Sequence, residues 1–143
     1  MNDTFNLQRF VDAQEASYLT VLSELKDGHK SSHWMWFIFP QITGLGRSST
    51  AVLYSISGLP EARAYLEHPI LGQRLIECCQ VLSNLRGHSP EAIFGSVDAI
   101  KLRSSLTLFD QASSSQLFKE LLQKYYDGRA DKATLELIGE VKS

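Results

Sequence analysis

From Leu7 to Leu25, apolar residues return at helical intervals: Leu7, Phe10, Val11, Tyr18, Leu22 and Leu25. Asp3 or Thr4 stands where an N-cap belongs, and Gly28 stands where a glycine would stop the segment, as one helix or two. A dense apolar block follows, Trp34-Met35-Trp36-Phe37-Ile38-Phe39, closed by Pro40. It is too short for its period to separate a buried helix from a strand. Ser48 and Ser49 can cap a helix through Ala51 to Ile56. Gly58-Leu59-Pro60-Glu61 opens another, with proline in its first turn, and His68-Pro69 should break it. Leu71, Leu75, Cys78, Cys79, Leu82 and Leu85 line one face of a longer helix that Gly87 closes. Ser89-Pro90-Glu91 starts a short helix that Gly95 ends, and Ser96 or Asp98 starts the next, which runs to about Phe109. Ser113 to Ser115 caps a helix carrying Leu117, Phe118, Leu121, Leu122 and Tyr125, which Gly128 ends. Asp131 caps the last helix, with Leu135 and Ile138 facing inward.

Strict alternation is almost absent, and glycine and proline fall between helical patterns. The expected fold is all-α, a single compact domain over 1-143 with about seven to nine short helices around a central buried helix near 98-109. That helix is placed centrally because Ile100, Leu102, Leu106, Leu108 and Phe109 lie nearly all round its axis.

Composition adds limits. The chain has 143 residues, 43% hydrophobic and 21% charged, which suits a folded domain that needs no covalent staples. Its net charge of −2 argues against capture of a nucleic-acid backbone, so nucleic acid is not the expected partner. No apolar run reaches membrane-spanning length, and the first residues lack a basic segment followed by an apolar one. Cys78 and Cys79 are adjacent and cannot bridge without severe distortion. The expectation is a cytoplasmic protein with reduced cysteines and no membrane association.

Three groups of residues could carry chemistry. Gly44-Leu45-Gly46-Arg47-Ser48-Ser49 runs from a flexible turn into a helix start, where backbone N–H groups and the helix dipole can hold an anion and Arg47 can add a fork of donors. The same turn could simply join two helices. On the helix from Asp98 to Phe109, Lys101, Ser104 and Ser105 share one face. Lys101 could act as base to a Ser104 nucleophile, or anchor an anion with two hydroxyl donors, or the stripe could face water. In the opening block His33 could serve as general acid or base, Trp34 and Trp36 could stack on a planar ligand, and Gln41 could read its polar edge; the aromatic residues could equally be core. Only His29 and His33 have the spacing of a helical metal pair, and no acidic motif accompanies them, so neither a metal nor a cofactor is expected. The combined expectation is a pocket for a small anionic, phosphorylated or nucleotide-like ligand between the 33-48 segment and the 98-109 helix. The alternative is a protein-interaction module in which these residues serve as core.

The blocks N-L-Q-R-F-V-D-A-Q, S-H-W-M-W-F-I-F-P-Q-I-T-G-L-G-R-S, E-A-R-A-Y-L-E-H-P-I-L-G-Q-R-L and I-F-G-S-V-D-A-I-K-L-R-S-S-L-T-L-F, in that order, closely resemble domain-of-unknown-function family 1810. The resemblance runs from about Phe5 to about Ile138. It implies a small, single-domain, mostly helical bacterial cytoplasmic protein, with no established activity. Members often carry the automatic label calpastatin. Calpain inhibitors of that name are disordered, whereas this composition is that of a folded domain, so the label is not carried over. The family's blocks map onto His33, Trp34, Trp36, Pro40, Gln41, Gly44, Gly46, Ser48, Lys101, Ser104 and Ser105.

Overall fold

Several helices in this protein start where a side chain accepts hydrogen bonds from first-turn amides. The computed structural model describes residues 3–142. Among them it holds nine helices: α1 (Gln8–Glu15), α2 (Tyr18–Lys26), α3 (Met35–Ile38), α4 (Ser49–Leu53), α5 (Leu59–Glu67), α6 (Leu71–Asn84), α7 (Pro90–Ala112), α8 (Leu117–Tyr126) and α9 (Lys132–Lys142). The all-α expectation holds among the described residues, where the sole β-type pairing is a parallel bridge between Ile42 and Ile56.

Most caps are those the sequence predicts. Asp3 accepts from the amides of Leu7 at 2.7 Å and Gln8 at 3.0 Å, closing the start of α1. Ser48 Oγ accepts from Ala51 N at 3.1 Å, and Ser89 Oγ from Ala92 N at 3.0 Å. Asp131 Oδ2 accepts from Thr134 N at 3.1 Å. Each satisfies a donor that the first helical turn would otherwise leave orphaned. A further cap is one the sequence pattern does not predict: His68 Nδ1 accepts from the amides of Ile70 and Leu71, at 3.1 and 3.3 Å, where α6 begins. Gly95, with φ 80° and ψ 163°, interrupts α7 at the expected place. A side chain there would strain the backbone, and the turn lets a short helical arm join the long buried one at an angle.

A single hydrophobic cluster forms the core. Rings pass through its centre: Phe10 meets Tyr65 edge-on at 5.2 Å, Tyr65 meets Phe109 at 5.3 Å, and Phe109 meets Phe118 at 5.9 Å. These contacts tie α1, α5, α7 and α8 together, each ring adding burial plus a pair term of about 1 kcal/mol. Leu102, Leu106, Leu108 and Phe109 are all buried, so the long arm of α7 is the central element.

Several expectations are corrected. Ile100 is 66% exposed, because the first turn of the long arm stands at the rim of the core. Leu135 is 39% exposed, while Thr134 and Ile138 face inward from α9. α4 ends at Leu53, because Ile56 is drawn into the bridge with Ile42. α7 continues past Phe109 to Ala112. The polar stripe does not simply face water: Ser104 and Ser105 are buried. On α8, Lys124 Nζ donates to the carbonyls of Ser83, at 2.7 Å, and Leu85 at the end of α6. That places a cation at a helix C-terminus, where the dipole favours it.

Cys78 and Cys79 are free and buried. Burial pushes the Cys78 thiol up to about 12, so it stays protonated at neutral pH. No helix among the described residues is long and apolar enough to cross a membrane.

Candidate functional site

The 33–48 segment and the long arm of α7 do meet. Gln41, Leu45 and Gly46 form one wall of an open groove of about 370 Å³. Val97, Ile100, Lys101 and Ser104 form the second wall, and Asp131 and Ala133 at the start of α9 close the end. Behind it, between the aromatic block and α4, is a crevice of only about 10 Å³, which Trp36, Gln41, Gly46 and Lys101 also line. That is room for about one water and not for a planar ligand. Gly46 is packed so closely that an added Cβ would lie 2.5 Å from Ala51 Cβ, so the turn approaches α4 through its missing side chain.

Lys101 is the cation of this groove. Its ammonium lies 5.1 Å from the centroid of the Trp36 ring and 3.7 Å from Asp98 Oδ1. The other oxygen of Asp98 is held closer, at 2.8 Å, by Lys30. Lys30 in turn sits 5.1 Å from the Trp34 ring, with its side chain 7% exposed. One carboxylate therefore serves two ammonium groups, and the tighter bond goes to Lys30. Lys30 was not among the residues the sequence singled out, and Asp98 stood there only as a helix start. The useful signal was charge complementarity across 67 intervening positions, which no local pattern carries.

The serines of α7 have structural partners or none. Ser104 Oγ donates to Asp131 Oδ2 at 3.0 Å and lies 3.3 Å from Ile100 O. Thr107 Oγ1 accepts from Asp131 N at 2.8 Å, and Arg103 donates to the carbonyls of Arg129 and Ala130 at 2.7 and 2.9 Å. Arg103, Ser104 and Thr107 thus seat the turn that begins α9. Ser105 Oγ is the one buried side-chain polar atom without a partner among the described residues, and it is not among the groove's lining residues.

The remaining candidates lie apart from the groove. Trp34 is 1% exposed, and its indole N–H donates to Glu24 at 2.9 Å. Glu24 also accepts from the amides of Ser31 and Ser32, at 2.8 and 3.0 Å, and from the Ser32 hydroxyl. Burial pushes the Glu24 carboxyl up, but the hydrogen bonds from Ser32, Ser31 and Trp34 outweigh it and hold it at about 2. Exposed His33 and Arg47 do not line the groove, and the Ser48 hydroxyl is engaged as a cap. Gly44, with φ 110°, packs against Leu137. Among the described residues no group of three His, Cys, Asp or Glu is placed to hold a metal ion.

A larger depression of about 670 Å³ lies on α6 beside Tyr18. Its charges are already paired. The Tyr18 hydroxyl donates to Glu77, and Arg74 stacks on the Tyr18 ring at 4.8 Å while binding Gln14 at 3.2 Å and Glu15 at 3.3 Å. Among these surface features the Lys101 groove has the more weakly paired cation.

Comparisons with known proteins agree with this architecture. The crystal structure of the conserved hypothetical protein Rv1873 from Mycobacterium tuberculosis is similar with a TM-score of 0.94 and 51% sequence identity, over 96% of this chain and 99% of that one. No curated protein matches. A family model described as "Protein of unknown function (DUF1810)" matches residues 4–138, nearly the whole chain, and the protein therefore belongs to that family.

Proposed function

We propose that the groove between the Gln41–Gly46 wall and the long arm of α7 binds a small molecule through an anionic group at Lys101, in a cytoplasmic bacterial protein. The observation that supports this is the weak pairing of Lys101: its carboxylate partner is 3.7 Å away and held at 2.8 Å by another lysine. An ammonium stacked on a ring and short of a counter-charge gains most from an incoming anion. Gln41 supplies a neutral polar contact at the same wall. Arg47 and Ser48 have no part in this reading, and a five-residue α4 offers little dipole to a phosphate.

The test is a thermal-shift screen of the purified protein against small carboxylates, sugar phosphates and nucleotides, repeated with Lys101→Gln. A ligand at about 100 times its dissociation constant stabilises the fold by about 2.7 kcal/mol, a shift of several degrees. A hit that vanishes in Lys101→Gln is the expected result. Hits unaffected by that change would move the site elsewhere.

A second reading has its own observation. Val97 and Ile100 are each 66% exposed side by side at the groove rim, and the crevice behind that groove holds only about 10 Å³. Apolar groups so placed suit contact with a protein partner. A silent screen together with unchanged solution behaviour of a Val97→Ser, Ile100→Ser protein would count against both readings.

A further inference from the structure

Asp131 gives the groove a second charge. The sequence marks it as a cap, and it fills that role with one oxygen: Oδ2 takes the Thr134 amide at 3.1 Å, the Thr134 hydroxyl at 2.5 Å and the Ser104 hydroxyl at 3.0 Å. Oδ1 takes no hydrogen bond among the described residues, and no lysine, arginine or histidine there forms an ion pair with Asp131. Asp131 nevertheless lines the groove together with Lys101. The groove therefore carries a weakly paired ammonium and an unpaired carboxylate. These two do not pair with each other. Leu45, Val97, Ile100 and Ala133 supply the apolar surface of the same groove.

Resting on the binding reading above, we infer that the ligand is a small zwitterion whose anionic group and amine are separated by an apolar segment. Its anion meets Lys101, its amine meets Asp131, and its body lies along Val97 and Ile100. A dianionic phosphate is disfavoured, because it would bring two charges to a groove already flanked by Asp98 and Asp131. A plain fatty carboxylate leaves Asp131 unanswered, and a plain amine leaves Lys101 unanswered. In a half-buried setting each missing contact is a charge-assisted hydrogen bond not made.

Four probes of matched length decide the matter: 6-aminohexanoate, hexanoate, hexylamine and hexyl phosphate. Their affinities are measured by calorimetry or by NMR titration on the full chain. The expected result is that 6-aminohexanoate binds about tenfold tighter than either single-charge analogue, as one charge-assisted contact implies. Its advantage over hexanoate should disappear in Asp131→Asn, which keeps an amide oxygen for the Thr134 cap. Its advantage over hexylamine should disappear in Lys101→Gln. Melting temperatures of both variants, measured alongside, separate lost contacts from lost folding. Equal or tighter binding of hexanoate or hexyl phosphate overturns the zwitterion and leaves the anion site standing. Tighter binding of hexylamine, or no binding of any probe, overturns both.

Discussion

Glu24 and Asp98 are carboxylates at two edges of the aromatic block, and they are satisfied in opposite ways. Glu24 is 8% exposed and answered entirely by neutral donors: the amides of Ser31 and Ser32, the Ser32 hydroxyl and the Trp34 indole. Asp98 has a side chain 19% exposed and is answered by two cations, one close and one distant. The first arrangement is complete. It fixes the loop that delivers Trp34 to the core and leaves nothing over for a ligand. The second is incomplete, since one carboxylate neutralises about one charge and two are present. Saturated polar groups build architecture, and undersupplied ones are free to recognise something else.

The largest effect should come from breaking the complete arrangement. Glu24→Ala strands the donors of Ser31, Ser32 and Trp34 in a buried place and should cost about 3–5 kcal/mol of stability. Urea denaturation followed by fluorescence reads this directly. A midpoint near that of the parent protein would show that the clasp is dispensable.

Acid tests the same group next. The Glu24 carboxyl titrates at about 2 in the folded protein against an ordinary 4.5. Between those values the unfolded chain holds a proton that the folded chain lacks. The stability from this group is therefore complete above about 4.5 and drains away as the pH falls toward 2. The loss amounts to about 3 kcal/mol for a shift of that size. Glu24→Gln should flatten that part of the stability profile, and an unchanged acid limb in the variant would reassign the acid sensitivity to other groups.

Asp98→Asn should fall in the middle. It leaves the Lys30 ammonium, whose side chain is 7% exposed, beside the Trp34 ring without its carboxylate. A loss of about 1–3 kcal/mol is expected, less than for a fully buried pair because Asp98 itself reaches water. Thermal unfolding at low and high salt measures it, and the loss should shrink little with salt if Lys30 is truly dry.

Lys101→Gln should be the mildest for the fold. Its pair is long and its side chain 26% exposed, so a change of at most about 0.5 kcal/mol is expected. The same substitution should nevertheless remove binding at the groove. A variant that loses stability as heavily as Asp98→Asn would erase the contrast between the two corners.

Much of the helical punctuation was legible because it is local. Ser48, Ser89 and Asp131 each cap through an acceptor and an amide three residues apart, and Gly95 breaks α7 by its own backbone freedom. The candidate site was legible in part: Gln41, Gly46 and Lys101 do converge on the groove, whereas His33, Arg47 and Ser105 do not line it. Trp34 and Trp36 looked alike in sequence, yet one is fully buried and bonded to Glu24 while the other lies half-buried under Lys101. Nothing in a run of aromatic residues separates those roles, because both satisfy the same hydrophobic pattern.

By itself the chain determined where many of the helices begin, that helices are numerous and mostly short, and that the long arm of α7 is apolar enough to be central. These follow from contacts within about one turn, where sequence distance and spatial distance coincide. The tertiary structure alone decided which face of α7 reaches water, that Ile100 stands at a rim, that Lys30 takes the nearer oxygen of Asp98, and that the Asp131 cap also holds Ser104. Burial and ion pairing depend on which distant segments pack together, and a helix apolar on nearly every side does not say which of its faces will be covered.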